Sequence, residues 1–152
     1  MRVKTLVVSG CLLAAVSLSA RSQTPAEQAT QLAGDARYAD AVPKFQEAIR
    51  LEPKNASLRL GLGLAYQALE KYPEAVSALE AAAKLGSHEP YYSLALLYEA
   101  AAADPLIMKE TKTPGLQKRY WQKARQAWEK VVLLSKDDKR IATAKEHLER
   151  MP

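Results

Sequence analysis

A set of small and large residues recurs at a distance of 34 residues, and this repeat limits the possible folds more than any other feature. The first copy lies in ADAVPKFQEAIRLEP (39–53) and the second, 34 residues later, in PEAVSALEAAAKLGS (73–87). A third lies in KARQAWEKVVLLSK (123–136), beyond an insertion. The intervals of four, three and three residues are those of one helix face. The matching residues are Ala41, Phe45, Ala48 and Leu51, then Ala75, Leu79, Ala82 and Leu85, then Ala124, Trp128, Val131 and Leu134.

A second pattern precedes these copies. LGLAY (62–66) and LALLY (94–98) each end in a tyrosine, and QATQL (28–32) is a weaker version. We expect each to be a helix that packs against the helix that follows it. Small residues would let the helix backbones approach closely, and large ones would fill the space between them. The small set is Ala41, Gly63, Ala75 and Ala95, and the large set is Phe45, Tyr66, Leu79, Tyr98 and Trp128.

With these residues the chain resembles the tetratricopeptide repeat family, in which each 34-residue unit is a pair of antiparallel helices. The resemblance implies an all-α fold, a superhelix of about three helical hairpins plus a C-terminal capping helix. Each hairpin buries only part of its apolar surface, so neighbouring units must stack. The units span about 24–55, 56–87 and 88–136, with an insertion near 104–118, and the cap helix spans 137–151.

Several residues predict where helices begin and end. TPAE (24–27) is a capping box with proline at the first helical position. Pro43 fits if Asp40 is the N-cap of its helix; otherwise that helix is kinked near its start. Ser87 or His88 is the expected N-cap of the third unit, and Asp137 or Asp138 that of the cap helix. Asp104-Pro105 should end a helix. The insertion is either a plain connector or a mobile loop that closes over a partner with Leu106, Ile107 and Met108 exposed.

The N-terminus has a different character. A basic start is followed by a 16-residue apolar run (5–20), which is short for a membrane span. We interpret residues 1–22 as a signal peptide with cleavage near Ser19, Ala20 or Ser22, which places residues 23–152 in the periplasm or cell envelope. The alternative is a lipid anchor at Cys11, because VSGC (8–11) is similar to a lipoprotein acylation box.

The sequence offers no catalytic or cofactor site. It has two distant histidines and one cysteine, and it lacks a glycine-rich phosphate loop, so we expect no enzyme activity, no metal and no cofactor. Residues 105–152 carry twelve Lys or Arg against six Asp or Glu. This is either an ordinary solvated surface or a basic face for an acidic partner or a membrane surface. Nucleic acid is not expected as the ligand of an exported chain.

The family resemblance implies a concave groove lined by the first helix of each unit. The binding residues would flank the packing positions and would hold an apolar segment of a partner protein. Alternatively, the cap helix or the insertion covers them. The basic clamp by which some family members hold acidic tails is absent, because the corresponding positions include Ala26, Thr30 and Glu89. The expected groove residues are Leu60, Leu64, Gln67, Tyr92, Leu96 and Glu99.

Two functions follow from this interpretation. The first is a non-catalytic adaptor or scaffold that binds a protein or peptide segment in the groove. The alternative is a structural subunit of a larger envelope assembly, docked through the ends of the stack or through its basic C-terminal half.

Overall fold

A computed structural model describes residues 23–110 and 114–152. The signal-peptide and Cys11 predictions lie outside these residues, as does the first part of the predicted KTPG turn (112–115). The described parts of the chain contain helices and no strand. The helices are α1 (Pro25–Gly34), α2 (Tyr38–Leu51), α3 (Ala56–Ala68), α4 (Tyr72–Lys84), α5 (Pro90–Ala103), a short 3-10 helix (Pro105–Met108), α6 (Leu116–Leu134) and α7 (Asp138–Arg150).

The helices pack in consecutive pairs, α1 with α2, α3 with α4 and α5 with α6, and α7 closes the stack against α6. This confirms the prediction of an all-α fold of stacked helical hairpins. The core has two parts. A smaller cluster joins α1, α2 and α3, and a larger one joins α4 to α7.

The small and large residues of the repeat form this core. Ala41, Ala75 and Ala124 are each 0% exposed, and the large residues four positions later are buried beside them. Gly61 and Gly63 mark the closest approaches. A Cβ atom at Gly61 would lie 2.6 Å from the Phe45 ring, and one at Gly63 would lie 2.7 Å from Leu79 Cγ.

The fourth position of the repeat is not part of the core. Leu51 is 70% exposed and Leu85 is 39% exposed. Leu51 is the last residue of α2 and Leu85 follows α4, so both lie where the chain turns away from the helix pair. At this position the sequence keeps the spacing of the repeat, although the leucine side chain is not buried.

The helix ends correct two of the sequence predictions. Thr24 and Glu27 form the expected capping box. However, α2 begins at Tyr38 with Arg37 at the cap position, so Asp40 and Pro43 both lie inside the helix. The Asp40 carboxylate pairs with the Arg37 guanidinium at 2.7 Å. The prediction that Ser87 or His88 caps α5 is also wrong, since the cap position is Glu89 and Pro90 is the first helical residue.

The 3-10 helix that follows α5 packs on the core, whereas Lys109 and Glu110 after it are exposed. Asp104 ends α5 as predicted, and its carboxylate accepts a hydrogen bond from the Leu106 backbone at 3.1 Å. Leu106 is 59% exposed, but Ile107 and Met108 are half-buried against the larger cluster, whereas the mobile-loop alternative has all three exposed. The 3-10 turn directs these two side chains inward. Residues 116–118 of the predicted insertion belong to the first turn of α6.

Asp137 is the N-cap of the last helix, and its carboxylate accepts hydrogen bonds from the Lys139 and Arg140 backbones at 2.9 and 3.2 Å. Ala144 is fully buried, and Leu148 and Met151 pack against the larger cluster. One face of α7 therefore covers α5 and α6, and the other is charged.

Candidate functional site

The expected groove residues lie on α3 and α5, and we call this surface the first-helix face. On α3, Leu64 is 44% exposed, and Leu60 and Gln67 flank it one helical turn away on either side. Both of these neighbours are half-buried, and Leu60 packs against the larger core cluster. Leu64 is thus an exposed leucine between two half-buried neighbours on the same helix.

The residues on α5 are held more firmly. The ring of Tyr92 meets that of Trp128 edge to face, with centroids 5.3 Å apart. The guanidinium of Arg140, from α7, lies 5.5 Å from the Tyr92 ring. Leu96 is half-buried against the same cluster. Tyr92 is therefore held by both α6 and α7.

Glu99 connects α5 to α6 and α7. One carboxylate oxygen accepts a hydrogen bond from Trp128 Nε1 at 2.7 Å, and the other lies 2.8 Å from His147 Nδ1. The His147 ring also stacks on Trp128, with centroids 4.6 Å apart. The side chain of Glu99 is only 18% exposed. In this structure Glu99 anchors α7 and is not an open groove residue.

The six expected groove residues thus fall into two sets. Leu60, Leu64, Gln67 and Leu96 occupy the middle of the first-helix face, and α7 contacts Tyr92 and Glu99 at its C-terminal end. The Glu99 cluster could not be predicted from the sequence, because Trp128 and His147 are 29 and 48 residues from Glu99. No local spacing joins them.

A repeated hydrogen bond lies on the opposite surface of the stack, which is formed by the second helices α2, α4 and α6. Gln46 on α2 donates to the hydroxyl of Tyr66 on α3 at 2.9 Å. One unit later, the hydroxyl of Tyr98 on α5 donates to the carboxylate of Glu80 on α4. Gln46 and Glu80 are 34 residues apart, so the repeat alignment could have identified this pair.

Two tyrosines have raised pKa values. Burial raises the pKa of Tyr98 well above its ordinary value of 10.0, and the adjacent Glu80 carboxylate raises it further. Burial also raises the pKa of Tyr120 to about 12, helped by the hydrogen bond from its hydroxyl to Glu110 at 2.9 Å. In both cases the folded protein disfavours the phenolate.

We therefore expect the free energy of unfolding to fall as the pH rises above about 10, the ordinary tyrosine pKa. A pKa that is raised in the folded state contributes stability that is complete below the unfolded pKa. For Tyr120 that contribution is lost between pH 10.0 and about 12. Urea unfolding across this range, with phenolate absorbance recorded in parallel, measures the effect. The Tyr98→Phe/Tyr120→Phe variant should lose stability less steeply than the wild type, and equal slopes would contradict the expectation.

The described residues contain no group of three or more metal-ligating side chains. Within the same ranges, no helix combines the length and the apolar character needed to cross a bilayer. Trp128 Nε1 contacts one carboxylate oxygen of Glu99, and His147 Nδ1 contacts the other. The first-helix face therefore combines an exposed apolar side chain, Leu64, with Glu99, which holds α6 and α7 in place.

Comparison with known proteins agrees with the repeat. A family model described as tetratricopeptide repeat matches residues 27–90, a range that covers most of α1 and all of α2, α3 and α4. A comparison with curated proteins finds no match to this chain.

Proposed function

We propose that the chain is a non-catalytic adaptor or scaffold that binds a partner segment on its first-helix face. The match of residues 27–90 to the tetratricopeptide repeat, which generally mediates protein–protein interaction, supports this proposal. The observation that carries this proposal is Leu64, an apolar side chain 44% exposed in the middle of an ordered helix. Leu60 and Leu96 extend the apolar surface on α3 and α5. Such a surface suits the apolar side chains of a helical or extended partner segment.

Replacing Leu64 with glutamate tests the proposal. A charge in the middle of the apolar contact should reduce partner capture by about tenfold or more, because an unpaired charge would be buried in the complex. Since Leu64 is exposed, the free energy of unfolding should change by no more than about 0.5 kcal/mol. Leu96 is a less suitable position, since it packs on the core and a glutamate there would also reduce stability.

Leu51→Glu is the matched control, because Leu51 is an equally apolar residue, 70% exposed, at the end of α2. The three proteins are used to capture partners from envelope extract, and each bound protein is quantified by mass spectrometry. The expected result is that Leu51→Glu retains the partners that Leu64→Glu loses, and that a competing peptide releases them. Equal capture by both variants would reject the first-helix face as the binding surface.

A structural-subunit role is the second candidate, and α6 favours it. This helix carries five Lys or Arg and one Glu, and its Leu133 is 72% exposed. If the chain is a subunit, partners should co-purify with the Leu64→Glu variant, should resist the competing peptide and should be lost on Leu133→Glu. The same extract experiment therefore separates the two candidates.

We further propose that the protein is exported and acts in the periplasm or cell envelope. The basic start and the apolar run of residues 5–20 support this proposal. The mass of the mature protein from its native host tests it. A chain that begins near Ser19–Gln23 is expected, whereas a diacyl or triacyl mass on Cys11 would identify a lipid-anchored form.

A further inference from the structure

A groove opens between the second helices α4 and α6, over the side of α5. It encloses a cavity of about 330 Å³. Tyr91, Leu94 and Tyr98 of α5 form its floor, and Ala83 and Ala127 form the apolar part of its walls. The rim is polar and mostly cationic. It consists of Glu80 and Lys84 on α4 and of Lys123, Gln126 and Lys130 on α6.

A related pocket lies between α3 and α4 in the preceding unit. Its cavity of about 420 Å³ is lined by Leu62 and Tyr66, which correspond to Leu94 and Tyr98 in the repeat, and by Arg59 and Glu74. With Ala75 aligned on Ala124, Lys123 corresponds to Glu74 and Lys130 to Ala81. The second helix of a unit therefore packs without a lysine at either position.

The charges of the rim do not cancel. Lys123 Nζ lies 3.5 Å from Glu80 Oε1 and 5.0 Å from the centre of the Tyr98 ring. Glu80 also accepts the hydrogen bond of the Tyr98 hydroxyl. Among the described residues, no carboxylate lies within ion-pairing distance of Lys84 or Lys130. The groove thus presents three ammonium groups and a single carboxylate that is already engaged.

We propose that this groove binds an acidic segment of a partner protein, with one apolar side chain inserted between the two helices. Lys123 and Lys130 lie two helical turns apart on α6, a separation of about 10 Å. Two carboxylates three residues apart in a polyproline II segment lie on the same side of that segment and are about 9 Å apart. An apolar side chain between them would fill the floor, and the two lysines would pair with the carboxylates.

The shape of the groove favours a protein segment over a membrane surface. The apolar floor is recessed between two helices, where an individual side chain can reach it and a bilayer surface cannot. Leu64 and the other residues in the middle of the first-helix face do not line the groove, so the two sites can be tested separately. Together they would let one chain bind two segments.

The experiment uses two fluorescein-labelled peptides and the protein comprising residues 23–152. The first peptide repeats the unit Glu-Leu-Ala-Glu, and in the second every Glu is replaced by Gln. Binding is measured by fluorescence anisotropy at two salt concentrations. The bound site is located by amide chemical shifts in NMR. The expected result is saturable binding of the acidic peptide that weakens with salt, with shifts confined to α4, α5 and α6 around the groove.

Lys123→Gln/Lys130→Gln should weaken acidic-peptide binding by about tenfold, because two charge pairs are lost. The matched control is Lys118→Gln/Lys145→Gln, which removes the same charge from two exposed lysines outside the groove and should change affinity by less than about twofold. Leu64→Glu should bind the peptide as the wild type does, so a failure here leaves the first-helix face proposal intact.

Four outcomes would overturn the inference. They are equal binding of the two peptides, shifts on the first-helix face, equal losses in the two lysine variants, and no saturable binding of the acidic peptide. Vesicles containing anionic phospholipid form a further arm. Sedimentation of the protein with them in a manner that depends on Lys123 and Lys130, without peptide binding, would assign the groove to a membrane surface.

Discussion

Replacing Trp128 with alanine is expected to lower the free energy of unfolding by about 3–5 kcal/mol, the usual cost of removing a large buried aromatic side chain. Trp128 is 0% exposed and is the largest fully buried side chain of the described residues. Its ring contacts Tyr92 and His147, and its indole N–H bonds to Glu99 at 2.7 Å. The substitution leaves a cavity between α5, α6 and α7, and it also removes a hydrogen bond from a poorly solvated carboxylate.

Two further variants separate these causes. Trp128→Phe retains most of the apolar contact but loses the N–H, so its loss should be smaller. Trp121→Ala removes the other tryptophan, which is only half-buried, and should also cost less. Urea unfolding followed by circular dichroism compares the three. Hydrogen exchange should increase more in α7 than in α1 and α2, which belong to the separate smaller cluster. Equal losses for Trp121→Ala and Trp128→Ala would contradict this description of the core.

The second large effect is expected where α3 approaches α4. A Cβ atom at Gly63 would lie 2.7 Å from Leu79 Cγ and 3.2 Å from the Leu79 backbone nitrogen. Leu79 is 0% exposed, so its side chain cannot swing into solvent. Gly63→Ala should therefore destabilise the protein by about 1–3 kcal/mol through overpacking, despite the higher helix propensity of alanine.

The partner variant, Leu79→Ala, should cost about 2–5 kcal/mol because it leaves a cavity. In the double variant the new methyl group occupies part of the space that the leucine vacates. Its loss should be smaller than the sum of the two single losses, and a double-mutant cycle measures the difference. Gly34→Ala is the control, since nothing lies within 4 Å of a Cβ at that position. Additive losses at Gly63 and Leu79 would show that the two residues do not meet.

The core could be predicted from the sequence because its pattern is local and repeated. Ala41, Ala75 and Ala124 lie at the same position of each unit, and a position that alternates with large residues at helical spacing must face a neighbouring helix. The capping box at Thr24 and the stop at Asp104 also depend on a few adjacent residues. Such signals need no knowledge of the tertiary structure.

The surface was harder to predict, because exposure depends on which distant element covers a residue. Glu99 has the spacing of a groove residue, yet Trp128 and His147 reach it from α6 and α7. Ile107 and Met108 follow a helix stop and have the sequence of an exposed loop, but a 3-10 turn packs them on the core. Asp40 is a good capping residue in isolation, yet it lies in the first turn of α2 and pairs with Arg37.

The close approaches at Gly61 and Gly63 join α3 to α2 and to α4, so they are the contacts on which the stacked-hairpin fold depends. A NOESY spectrum of residues 23–152 with labelled methyl groups and aromatic rings tests it most directly. Strong cross-peaks are expected between the Leu79 methyl groups and the Gly63 Hα atoms, and between the Phe45 ring and the Gly61 Hα atoms, as the close approaches at both glycines require. Absence of both sets of cross-peaks in the folded protein would contradict the stacked-hairpin account.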